Sequence, residues 1–128
     1  MILFNFSGIR PINLGVKDSK LALYPKTLNC VNSQSSIPQF KIEPLPPISI
    51  AEFSKVIESL ERANLIEETE NYLYAYAEFK TKLMGYVDDA EFYLDLNENV
   101  IHVRSASRLG KFDLEVNRQR IEEIRSQL

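Results

Sequence analysis

The chain lacks tryptophan and carries one cysteine, one histidine and four glycines in 128 residues. A single cysteine, Cys30, excludes an internal disulfide. One cysteine and one histidine, His102, cannot build a zinc site of the usual Cys/His type, and no metal or cofactor is expected. The glycines stand alone at positions 8, 15, 85 and 110, so no glycine-rich loop is available to cradle a phosphate. There is no nucleophile elbow and no paired-carboxylate signature. No apolar run approaches the roughly 18 residues of a membrane span. The opening Met1-Ile2-Leu3-Phe4 is too short for a signal-peptide core and has no basic residue before it. A cytoplasmic or organelle-interior chain is therefore expected. What is present is ordinary for a globular protein: 45% hydrophobic and 26% charged residues, enough to build one domain with a core of its own.

The net charge of −3 is unevenly spread, with +3 over residues 1–40, −8 over 41–100 and +2 over 101–128. An acidic middle between basic ends predicts that the ends fold back onto the middle. It argues against nucleic acid as a partner, which calls for a strongly basic face.

All six prolines fall within residues 1–48. Each removes a backbone donor and blocks a helix interior. Apolar residues such as Phe4, Ile12, Leu14, Leu21, Leu28 and Leu45 punctuate the same stretch, and a disordered tail or linker would hold fewer of them. Residues 1–48 are read as an extended strap packed on an α+β core of residues 49–128, one domain in all. Ser49 and Glu52 fit a capping box, and Ile50, Phe53, Val56, Ile57 and Leu60 follow at helical spacing, predicting a helix from Ile50 to about Asn64. The period then changes to two. In the strand 72–79, Tyr72, Tyr74 and Tyr76 face one side, with Leu73, Ala75, Ala77 and Phe79 on the other. A strand from Tyr86 to Leu96 turns at Asn97-Glu98-Asn99 into a strand from Val100 to Arg108. Parity puts Asp88, Ala90, Phe92, Leu94 and Leu96 on the inner face with Ile101, Val103, Ser105 and Ser107. A one-residue slip would turn every apolar side chain outward, so Phe92 and Leu94 are set against Ile101, Val103 or Ser105. Asp113 caps a final helix from about Leu114, with Leu114, Ile121, Ile124 and Leu128 as its buried stripe. The expected fold is a two-layer α+β domain: an antiparallel sheet of three or more strands with both helices on one face.

Three groups of residues invite chemistry. On the outer face, Asp89 and Glu91 lie near Arg104 and Arg108 and read as surface ion pairs. Asp88 and Asp89 point to opposite faces and cannot chelate one ion together. On the inner face, Asp88 needs a partner, because a buried carboxylate is costly alone. Ser105, Ser107, Asn117, Arg118 and the loop around Asn29, Cys30 and Asn32 are the candidates, forming either a structural polar network or a small ligand pocket. A nucleophilic Cys30–His102 pair requires the strap to cross the outer face; the plainer reading is a buried anchor, and a thiol sensor is a further alternative. The charged run Arg118–Arg125 reads as a solvated helix face.

Four pieces of the chain, in order, carry a family resemblance. They are Arg10-Pro11 with Asn13-Leu14-Gly15-Val16; Asn29-Cys30-Val31 with Ser33-Gln34; Val87-Asp88-Asp89 with Phe92; and Val103-Arg104-Ser105-Ala106-Ser107-Arg108-Leu109-Gly110, followed by Asp113, Asn117-Arg118 and Arg120. They resemble the domain-of-unknown-function 1499 family, in its cyanobacterial form. Tyr24-Pro25 stands where members often carry Cys-Pro. The resemblance implies no general enzymatic activity. It does imply, from plastid members associated with the build-up of photosynthetic complexes, an accessory role near thylakoid membranes. Together these observations point to a non-catalytic accessory or assembly factor that binds a protein partner, with the tyrosine stripe as its contact surface. The alternative is a small-molecule binding protein or weak hydrolase using Asp88, Ser105 and Ser107.

Overall fold

The computed structural model describes residues 7–23, 29–69, 73–81, 85–110 and 115–128. In chain order the elements are β1 (Cys30–Asn32), α1 (Ile50–Glu58), β2 (Ala63–Thr69), β3 (Tyr74–Lys80), β4 (Val87–Asp95), β5 (Val100–Ser107) and α2 (Val116–Ser126). The strands form one antiparallel sheet in the order β1-β5-β4-β3-β2. This is the α+β architecture expected from the period-two strands and amphipathic helices.

The β4–β5 register follows the hydrophobic pattern. Phe92 pairs with Val103, Leu94 with Ile101, Asp88 with Ser107 and Glu91 with Arg104. One face of the sheet carries Ala75, Ala77, Phe79, Ala90, Phe92, Ile101 and Val103 into a core shared with Phe53 and Ile57 of α1 and Ile121 and Ile124 of α2. The Phe53 and Phe92 rings meet at 4.6 Å between centroids, a tilted contact worth somewhat more than its area alone.

The other face is covered by the chain before β1. Leu21 is buried against Tyr74 and Tyr76, and Leu14, Val16 and Tyr93 complete this second cluster. Farther along, the segment between β1 and α1 is tied to α2. Arg118 donates to the carbonyls of Lys41 (2.9 Å) and Gln39 (3.1 Å), and Arg125 to those of Pro44 and Glu43, both at 2.7 Å. The run read as a solvated helix face is therefore partly a clamp on backbone carbonyls.

Several boundaries differ from the sequence reading. The Ser49 side chain does accept from the Glu52 amide at 3.1 Å, but α1 ends at Glu58 rather than near Asn64. Arg62 turns the chain at a φ of 62°, and Ala63 and Asn64 enter the sheet opposite Phe79 and Glu78. Ladder bonds to β3 outweigh continued helix there. Leu96 lies in the turn and is exposed, not inward-facing; Tyr86 and Arg108 fall just outside their strands. Cys30–Asn32, read as strap, is an edge strand on β5. Asp113, Leu114 and Tyr72 lie outside the described residues; α2 begins at Val116, and Leu128 is exposed rather than buried. The other edge, β2, is protected by a bulge between Leu65 and Glu67 and by the charges of Glu67 and Glu68. Among the described residues, no helix is long and apolar enough to cross a membrane.

Candidate functional site

Polar side chains gather in three places, and strand parity explains each. On the helix side, Asp88 and Ser107 are cross-strand partners, as are Ala90 and Ser105. Small residues here leave room for Asn117 of α2, which is fully buried. Its Oδ1 accepts from Ser105 Oγ at 2.6 Å and from Arg120 Nη1 at 3.1 Å. Its Nδ2 donates to Ser107 Oγ at 2.9 Å and to the Asn29 carbonyl at 3.1 Å. Asn29 in turn donates to the carbonyls of Gly110 (2.8 Å) and Leu109 (3.2 Å).

The cation on Asp88 is Arg120, at 2.8 Å, and not Arg118. The Arg120 guanidinium also lies over the Phe79 ring, 4.6 Å from its centroid, a cation–π contact. Helical spacing could have found it: Asn117, Arg120, Ile121 and Ile124 share one stripe, and Arg118 is about 100° away from Asn117. Ser105, Ser107 and the Asn29 carbonyl meet at Asn117, and Asp88 joins them through Arg120 instead of Arg118. Cys30 is buried in β1 opposite Ala106. A cleft of about 430 Å³ lies beside Arg120, lined by Phe79, Lys80, Thr81 and Glu123 among others. Asp88, Ser105 and Ser107 are not in its wall.

On the opposite face, the expected ion pairs form but are buried rather than superficial. Arg104 Nη1 meets Glu91 Oε1 at 3.2 Å, with side-chain exposures of 4% and 0%. Arg108 grips Asp89 with two donors, Nε to Oδ2 and Nη2 to Oδ1, each at 2.8 Å. The same guanidinium reaches Glu78, which also receives Arg10 Nη2 at 2.7 Å. Such planar forks suit arginine and carboxylate. Tyr74 donates to Glu91 at 2.6 Å, and Tyr76 donates to Asp89. The tyrosine stripe is consequently not a free contact surface: Tyr74 and Tyr76 are only 4% and 3% exposed. Residues 10–21 cover them because that segment brings what the face lacks. It brings Arg10 for Glu78, the Gly15 amide for Glu91 at 2.6 Å, and Leu21 for the rings. Gly15 sits at a φ of 105°, which a side chain would strain.

Burial raises both tyrosine hydroxyls far above their ordinary range, and their carboxylate partners add to the rise, so they remain donors. Burial alone would raise the Glu78 carboxyl, but hydrogen bonds from Arg10, Arg108 and Tyr76 outweigh it and hold Glu78 below the usual value. A depressed folded-state value stabilises the fold above the unfolded carboxylate range and is lost as pH falls through the folded value. Glu78→Gln should therefore be less stable than wild type at pH 7. The gap should close as pH falls from about 4.5 downward, measured by urea unfolding at each pH. A gap that persisted unchanged at low pH would show that the Glu78 charge contributes nothing.

The third group lies at the β4–β5 turn. His102 Nδ1 sits 2.9 Å from Ser33 Oγ, and Nε2 sits 3.1 Å from Glu98 Oε2. Both ring nitrogens are thus engaged away from Cys30, so the structure does not assemble a Cys30–His102 pair. Asp95 lies beside Glu98 and His102, with one ligand-type atom from each residue within 4.8 Å of the others. Sequence reading passed over Ser33, Asp95 and Glu98. Parity already put Asp95 and His102 on one face, but the turn that returns Glu98 to them is a tertiary feature.

No curated protein matches the chain. No solved structure matches it either. The family described as "Protein of unknown function (DUF1499)" matches residues 20–128, which hold all five strands and both helices, and the chain belongs to that family.

Proposed function

We propose that this protein is a non-catalytic accessory or assembly factor that binds a protein partner through residues 9–12. The observation that supports it is the display of Ile9 and Ile12, 88% and 102% exposed, on either side of Arg10. Arg10 is pinned to Glu78 at 2.7 Å and lies 5.7 Å from the centroid of the Tyr76 ring. Two large apolar side chains are thereby held outward beside a side chain tied to the sheet, which lowers the ordering cost of binding. The polar groups of the two buried clusters hydrogen-bond to one another within the chain, which favours a structural role for Asp88, Ser105 and Ser107 over a ligand pocket. The family resemblance directs the choice of partner to a photosynthetic membrane complex, with peripheral association through that complex.

Fully burying an isoleucine contributes about 1.5–3 kcal/mol, so the double variant Ile9→Ser, Ile12→Ser should weaken partner binding by at least about 100-fold. The test is a tagged pull-down from solubilised photosynthetic membranes and from the matching soluble extract, with the variant's melting temperature checked against wild type. The expected result is a stoichiometric partner that the folded variant loses. No partner in either fraction, or equal retention by the variant, would overturn the reading.

A further inference from the structure

We propose that Asp95, Glu98 and His102 form a binding site for one divalent transition-metal ion of the zinc class. The three side chains come from the end of β4, the turn and the start of β5, and each offers a ligand atom within 4.8 Å of the others. The Nε2–Oε2 separation of His102 and Glu98, 3.1 Å, is a few tenths of an ångström short of the roughly 3.4 Å between adjacent tetrahedral ligands with bonds of about 2.1 Å. The wider separations in the group must contract on binding. Glu98, whose side chain is 63% exposed, can follow the ion, whereas Asp95 and His102 are buried.

Charge points the same way. Asp95 is 5% exposed. Its Oδ1 accepts from the amides of Asn97 (2.9 Å) and Glu98 (3.1 Å). No cationic side chain among the described residues pairs with it, unlike Asp88, Asp89 and Glu91. A buried carboxylate without a counter-charge is costly, and a second carboxylate beside it makes a cation more welcome.

The histidine is held as a ligand needs to be. Ser33 Oγ accepts from the Val103 amide at 2.8 Å and lies 3.4 Å from the Val103 carbonyl. Its hydroxyl can therefore donate to Nδ1, or rotate to that carbonyl and accept from an Nδ1–H. The second arrangement, with Nδ1–H donated to Ser33, leaves Nε2 to a metal ion in place of its hydrogen bond to Glu98, and Ser33 is then the second partner a metal-bound histidine usually has. An imidazole among the donors favours a zinc-type ion over magnesium or calcium.

His102 is the only histidine, so its ring signals are unambiguous in the untagged full chain. The experiment titrates chelator-stripped protein with zinc chloride, and separately with magnesium chloride, by calorimetry and by ¹⁵N-detected imidazole NMR. One equivalent of zinc should bind and shift the Nε2 resonance to a metal-bound position, with the proton on Nδ1; magnesium should do neither. Glu98→Gln, at an exposed side chain, should leave the metal-free melting temperature unchanged and weaken zinc at least about 10-fold. Absence of zinc binding, zinc binding with unmoved His102 signals, or full affinity in Glu98→Gln would overturn the site.

Discussion

Arg108→Met should lower the unfolding free energy by about 3–5 kcal/mol at pH 7, because it leaves buried carboxylates without their cation. Arg108 is 7% exposed at its side chain and joins Asp89 and Glu78, themselves 2% and 17% exposed. Methionine keeps much of the aliphatic volume, so the loss reports charge and hydrogen bonding more than a cavity. Against a typical domain stability of about 5–15 kcal/mol, roughly a fifth or more of the fold's margin is at stake. Urea unfolding measures it. A change below about 1 kcal/mol would place this network with exposed ion pairs, which contribute little. Adding Asp89→Asn to the variant should restore part of the loss, since the two residues touch and their effects cannot be independent. Arg108→Lys should still be destabilised, because an ammonium cannot reproduce the two-donor grip on Asp89 while also reaching Glu78. The Gly8 backbone lies against the Arg108 side chain, so hydrogen exchange should also quicken in the segment that covers the tyrosine face.

The second large effect is expected on the other side of the sheet. Asn117→Ala should cost about 3–5 kcal/mol, measured by the same unfolding experiment. Asn117 uses both its oxygen and its amide, each with two partners. Truncation strands the Ser105 hydroxyl, fully buried, an unsatisfied group costing roughly 1–3 kcal/mol, opens a cavity beside it, and takes one of two donors from the Asn29 carbonyl, which keeps the Ser107 amide at 3.0 Å. It also unseats α2 from the β1 end of the sheet and removes a partner of Arg120, the cation on Asp88. Full stability in this variant would mean that the cluster rearranges or hydrates freely, and would revive a ligand pocket around Asp88, Ser105 and Ser107.

Much of this arrangement is legible in the residues themselves. Alternation along 87–107 separates the apolar face from the charged one, and matching Phe92 and Leu94 to Val103 and Ile101 settles the hairpin register, because a slip would expose them all. The capping pair Ser49 and Glu52 marks the start of α1 by local chemistry alone. Asp88, Ser105, Ser107 and Asn117 could be grouped because parity aims the first three into an apolar face, where they must find one another.

What local pattern cannot reach is set by contacts between distant residues. α1 stops early because Ala63 and Asn64 are worth more on β3 than as another helical turn, and that partner strand lies beyond the next turn of chain. The tyrosine face carries the same alternation whether it is solvated or covered; its burial rests on Arg10 meeting Glu78 across 68 residues and Gly15 meeting Glu91 across 76. Choosing Arg120 over Arg118 for Asp88 required the rotation of α2 on the sheet, and bringing Glu98 to His102 and Asp95 required the folded turn. Periodicity along a strand or helix determined which side each residue faces; long-range packing alone decided what stands opposite, since a side chain's partner depends on where another part of the chain comes to rest.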